Sequence, residues 1–210
     1  NVGQAASLDL FKLYGITSSG SIPNTELSRL LIKFDLDPIR VLNSSSLIDI
    51  NDNSFKCYIK LFSVTGGQPE PTNFTVCLNP LSRSFDEGLG RDVVGYSDFD
   101  VSNFLTSSRV MGPWNAPGAN ASGSNGENGI DFITSYTNNL QLINLEFTQL
   151  FKTGAENLLI DVTSAISATL NNDIPDHGFR ISLTSSLETD THTYFVKRFA
   201  SRHAYDSSKQ

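Results

Sequence analysis

Short runs of alternating apolar and polar residues, separated by long polar stretches, dominate this chain. Period-two alternation sends successive side chains to opposite faces of a strand. Residues 8–14 (LDLFKLY) read as a strand, with Asp9 and Lys12 interrupting the apolar pattern. A Gly-, Ser- and Pro-containing link follows at 15–24, and 28–36 (SRLLIKFDL) predicts a second strand. Asp37-Pro38 stops it, because proline has no ladder donor and restricts the residue before it. Residues 39–49 predict a short helix or turn. The clearest strand is 55–64 (FKCYIKLFSV), with Phe55, Cys57, Ile59, Leu61 and Ser63 on one face and Lys56, Tyr58, Lys60 and Phe62 on the other. A connection containing Gly66, Gly67, Pro69 and Pro71 leads to 73–78 (NFTVCL), predicted to pair with it as a hairpin with a longer loop.

The character changes at 80–128, where Gly, Asn, Ser, Asp and Pro dominate. A long structured loop region is expected there, with a strand or helical turn at 96–104 and an exposed loop tip at 116–128. Loops of this length are usually functional, partner-bound or disordered. Regular patterning resumes at 141–147 (QLINLEF), which alternates strongly, and at 158–162. Residues 163–170 (TSAISATL) predict a short helix, with Asp161 offering a capping side chain. Residues 179–183 and 194–199 are the closing strands, joined by an acidic and polar segment at 187–192. Short strands, decorated loops and one or two short helices predict an all-β antiparallel sandwich of jelly-roll type. It forms one domain over 1–210, with a loop-rich insertion at about 80–130.

Composition narrows the function classes. The 210 residues carry 39% hydrophobic and 18% charged side chains, with 14 Phe and a single Met. Such a core is rigid and well specified, and a chain of this size buries roughly 70% of its unfolded surface. The net charge of -7 argues against general affinity for nucleic acid, which needs a basic face. No apolar run approaches the ~20 residues needed to span a bilayer, and residues 1–10 lack the pattern of a signal peptide. Cys57 and Cys77 lie in strand-like runs and could face each other across paired strands; two buried free thiols are the favoured reading. Cys/His spacing gives no zinc motif.

Several segments invite a chemical reading. In FDEGLGRD, Asp86, Glu87 and Asp92, with Asp98 and Asp100 downstream, could supply oxygen ligands to a calcium ion. The preferred alternative is a tight Gly-rich turn whose acids pair with Arg83, Arg91 or the C-terminal basic block. Gly88-Leu89-Gly90 lacks the remaining features of a phosphate loop. His177, His192 and His203 share no motif, and no nucleophile elbow supports a Ser-His-Asp triad. A catalytic role is therefore not expected. Trp114 lies on the long loop, where it could stack on a sugar, anchor a protein partner, or fold back as a plug. The sequons at Asn43, Asn73 and Asn120 are expected by chance in so Asn- and Ser-rich a chain.

Basic residues inside strands are the most informative polar feature. The segment TYFVKRFASRH places Lys197, Arg198 and Arg202 in or beside the last strand, and Arg29 adjoins an earlier one. Buried arginines usually meet carboxylates in bidentate pairs. Asp35, Asp161 and Glu87 are the nominated partners, and a neighbouring subunit is the alternative.

The strand SRLLIKFDL, the later Asp161-Val162-Thr163 and Gly178-Phe179 resemble the pattern of DNRLRE-type β-sandwich domains. Together with FDEGLGRDV, YSDFDVSNFL, Trp114 and the ending KRFASRHA, the chain resembles virion structural proteins of tailed bacteriophages. The resemblance covers most of the chain through short, mostly structural motifs. It implies a non-enzymatic capsid decoration or cement protein located in the virion. Its implied partners are the major capsid or other virion proteins, and it would act as a homo-oligomer, often a trimer, without a cofactor. A tail or baseplate position, or a carbohydrate-binding adhesion module, are the alternatives the resemblance leaves open.

Overall fold

A computed structural model describes residues 3–16, 23–65, 67, 69–91, 101–122 and 129–209. The main strands are β1 (Ser7–Ile16), β2 (Pro23–Leu27), β3 (Leu30–Ile32), β4 (Tyr58–Leu61) and β5 (Phe74–Pro80). Five short strands follow: β6 (Thr106–Ser108), β7 (Gly112–Pro113), β8 (Ala121–Ser122), β9 (Gly129–Ile130) and β10 (Ser135–Asn138). Then come β11 (Gln141–Asn144), β12 (Phe147–Phe151), β13 (Leu158–Asp161), β14 (Phe179–Leu183) and β15 (Tyr194–Ala200). The helices are α1 (Asp37–Ser44), α2 (Thr163–Leu170) and α3 (Ser185–Thr189).

The fold is mostly β, and among the described residues every strand pairing is antiparallel. One sheet runs β12-β5-β14-β3 and another β15-β1-β2, while β13 pairs with β4. The β4 end continues against β15. Ser63 bridges Phe199, Ala200 N–H donates to Phe62 O (2.8 Å), and Val64 N–H donates to Arg198 O (3.1 Å). The inward residues of both layers share one apolar core. Leu10, Ile59, Leu61, Leu158, Ile160 and Phe199 come from one side, and Phe74, Val76, Leu78, Phe151, Phe179 and Ile181 from the other. Phe74 stacks on Phe151 with centroids 4.9 Å apart, and Phe199 meets the same ring edge-on. The helix α2 adds Ala165, Ile166 and Ala168 to this core.

The central strands β5 and β14 are buried along nearly their whole length. Their inward side chains face the core, and alternation sends Cys77, Asn79, Arg180 and Ser182 outward, with Arg180 opposite Asn79 and Ser182 opposite Cys77. These polar residues are nevertheless buried, because the insertion between β5 and β12 packs over this face. It has a small core of its own, in which Leu81, Trp114 and Ala119 meet Leu31 and Phe85.

Several expected elements differ. The strands β4 and β5 do not form a hairpin; each joins a different sheet. Cys57 and Cys77 therefore do not sit across a strand pair, and both are free. The predicted strand at 28–36 shrinks to Leu30–Ile32, because its partner β14 begins at Phe179, beside Gly178 with φ +83°. The stretch 141–147 splits. Asn139 and Leu140, both at positive φ, fold β10 back onto β11, and Asn144 then accepts the Glu146 N–H in a further turn. The acidic linker at 187–192 includes the end of α3. The region 96–104 lies largely outside the described residues, as does 123–128.

Phe151→Ala removes a fully buried ring from the stacked cluster. Chemical denaturation is expected to show a loss of about 3–5 kcal/mol, whereas Thr148→Ala on the exposed side of the same strand stays within about 0.5 kcal/mol.

Candidate functional site

The charged groups nominated from the sequence separate into internal ties and surface pairs. On the outer face of the β5–β14 layer, Arg29 makes a bidentate pair with Glu188. Its Nε donates to Oε1 at 2.9 Å and Nη2 to Oε2 at 2.7 Å. Its Nη1 donates to the carbonyls of Gly118 (2.7 Å) and Pro117 (3.2 Å), and the guanidinium lies over the Phe104 ring. One side chain thus joins α3 to the insertion. Arg180 approaches the same carboxylate from below, with Nη2 3.9 Å from Glu188 Oε2, and lies 4.8 Å from the Phe132 centroid. Burial, reinforced by Arg29 and opposed by Glu188, lowers its pKa to about 10. Its Nε is buried without a hydrogen-bond partner.

Lys12 stands at an inward position of β1 and its side chain is fully buried. Its ammonium donates to Asp190 Oδ1 (2.6 Å) and to the carbonyls of Leu187 (2.7 Å) and Asp190 (2.5 Å). The Asp190 carboxylate also accepts from Tyr194 O–H (2.7 Å) and His192 N–H (2.9 Å). Burial opposes the charge on Asp190, but Lys12, Tyr194 and His192 outweigh it and hold the carboxyl far below its ordinary range.

Lys197 is the inward residue opposite Leu10. It donates to Ser63 Oγ (2.6 Å) and to the Gly154 carbonyl, and its ammonium lies 3.7 Å from Glu70 Oε2. The Phe151 and Phe199 rings lie against it at 5.6 and 5.3 Å. Arg198 points the other way and pairs with Asp9, its cross-strand neighbour, at 3.3 Å. Arg202 pairs with Glu87 at 2.5 Å. The basic ending is therefore occupied by intramolecular partners. Of the nominated acids, Glu87 takes Arg202, whereas Asp35 accepts the Asp37 N–H and Asp161 accepts the N–H and O–H of Thr163.

The acids considered for calcium are separated in role. Asp86 Oδ2 accepts the Arg109 N–H (2.8 Å), Glu87 turns to Arg202, and Asp92, Asp98 and Asp100 lie outside the described residues. Among the described residues no group of three His, Cys, Asp or Glu side chains is arranged to hold a metal. Trp114 folds back as a plug: it is 6% exposed and its Nε1 donates to Asn103 O at 2.9 Å. Burial pushes the Cys77 thiol up to about 12.

Two features escaped the sequence. Asp131 is fully buried and accepts from Asn115 N–H (3.1 Å), Asn115 Nδ2 (2.8 Å) and Ala116 N–H (3.1 Å), which organises the loop around Trp114. A lone Asp in the run GIDF carries no pattern to announce this. The second is an open cavity of about 460 Å³ lined by Glu70, Thr72, Asn73, Asp190, His192 and Tyr194, among others. It forms where the loop before β5 meets the loop before β15.

No family model, curated protein or solved structure matches this chain.

The depressed Asp190 pKa has a defined sign in folding. Relative to an unfolded value of about 3.9, its stabilisation is present above about pH 4 and is lost progressively as pH falls below that. Asp190→Asn should lower stability at neutral pH and flatten the acid limb of a stability–pH curve measured by urea unfolding.

Proposed function

We propose that this chain is a jelly-roll domain acting as a non-enzymatic virion structural protein, a capsid decoration or cement protein that binds neighbouring shell proteins. The carrying observation is its strand order. With the Ser63 bridge included, one layer reads β1, β15, β4, β13 and the other β3, β14, β5, β12, all antiparallel. That interleaving supports a reading as two paired Greek keys, with β2 as an added edge strand. Jelly rolls build viral capsid and lectin domains, so the fold alone leaves the role to the surface.

The surface favours protein contact. Exposed apolar side chains stand on two projecting hairpins of the insertion. Leu105, Val110 and Met111 surround the β6–β7 turn, and Leu140 and Leu142 occupy the β10–β11 tip. Leu140 is fully exposed at a positive φ, a conformation costly for a side chain with a Cβ. Apolar tips on a scaffold tied down by buried charges suit docking against another protein. The resemblance to phage virion proteins supplies the particle context.

A carbohydrate-binding module is the second reading. The cavity beside Asn73, Asp190 and His192, with Phe195 59% exposed at its edge, favours it. Trp114 is sealed in the insertion core and does not offer a sugar platform.

The purified protein should co-sediment with assembled shells and leave a glycan array unlabelled. Val110→Ser with Met111→Ser should weaken shell binding at least about tenfold, as removal of a hot-spot contact does, with thermal unfolding unchanged. Glycan binding abolished by Phe195→Ala would favour the second reading and overturn the first.

A further inference from the structure

We propose that Lys197 and Glu70 react to form an intramolecular amide, an isopeptide cross-link between β15 and the loop before β5. The site is a buried amine facing a carboxylate, that of Glu70, which no other group hydrogen-bonds. The Lys197 side chain is 1% exposed and its Nζ lies 3.7 Å from Glu70 Oε2. Both Glu70 oxygens are buried without a hydrogen bond, and so is Glu156 Oε2. Ser63 Oγ and the Gly154 carbonyl fix the amine in place, and Phe151 and Phe199 wall it off. Glu156 is oriented by its other oxygen, which accepts the N–H groups of Lys152 (3.0 Å) and Thr153 (2.9 Å), and it acts electrostatically on the same ammonium.

An ammonium held against two phenylalanine rings beside a carboxylate bears a desolvation cost that a neutral amine and a neutral acid do not. Burial already lowers the Lys197 pKa, against the pull of Glu70 and Glu156. Transfer of the ammonium proton to the Glu70 carboxylate leaves a free amine beside a carboxylic acid. The nitrogen lone pair then adds to the Glu70 carboxyl carbon. The excess proton on nitrogen passes to the leaving hydroxyl of the tetrahedral intermediate. A C–N bond forms, a C–O bond breaks and one water departs, with no oxidant, reductant or co-reactant required. Glu70 also lines the open cavity, which gives that water an exit. The product would pin the last strand to the loop that crosses between sheets.

Intact-mass spectrometry of the denatured full chain tests this. The expected mass is one water below that of the linear sequence, and proteolysis should release a branched peptide joining the segments that carry Glu70 and Lys197. Lys197→Met should restore the linear mass. Because that change could unfold the core, Glu70→Ala, which leaves the lysine in place, should restore it as well. A wild-type chain at the full linear mass overturns the proposal and leaves an ion pair. Loss of water mapped to any other site overturns it too.

Discussion

Two lysines with fully buried side chains on adjacent strands set the terms for much of this molecule. Lys12 and Lys197 occupy inward positions of β1 and β15, places that alternation reserves for apolar side chains. An ammonium taken out of water must be met by oxygen atoms or it destabilises the fold by several kcal/mol. The strands cannot supply those oxygens, because their carbonyls are committed to the ladder. They come from the connecting loops: Leu187 and Asp190 for Lys12, Ser63 and Gly154 for Lys197. Satisfying the charges therefore fixes the path of the loops that form the open cavity.

The same logic operates on the opposite face of the β5–β14 layer. There the outward residues of central strands are Cys77, Asn79, Arg180 and Ser182, and an insertion lies over them. Arg29 holds that insertion by two of its carbonyls while gripping Glu188 of α3. Asp131 then gathers three N–H donors inside it. These contacts, with the small apolar cluster of Leu81, Trp114 and Ala119, hold the described part of a long polar segment over the sheet.

Alternation made the faces legible but not the neighbours. Ile59 and Leu61 were assigned inward and are buried, yet their strand pairs with β13 rather than with β5, because period two says which way a side chain points and not what lies beside it. The helix at Thr163–Leu170 and the closing strands were readable for the same local reason. Lys12 looked like an interruption of its strand, since lysine is rarely buried and its partners sit 175 and 178 positions away. Arg29 was recognised as a tie, but its partner Glu188 stands 159 positions off, beyond what nearby acids such as Asp35 could suggest. Adjacency in sequence offers Asp86 and Glu87 to one calcium ion, with pairing to Arg83, Arg91 or the C-terminal basic block preferred; Glu87 meets Arg202 of that block, and Asp86 accepts the Arg109 N–H.

Buried charges act as internal ties that hold the loops and the described part of the insertion to the β-sheets. A double-mutant cycle between Arg29→Met and Glu188→Gln, read by urea unfolding, tests this. Each single change should cost about 3–5 kcal/mol, and the pair should couple by about 2 kcal/mol or more. Additive losses with coupling near zero would show that the pair ties nothing.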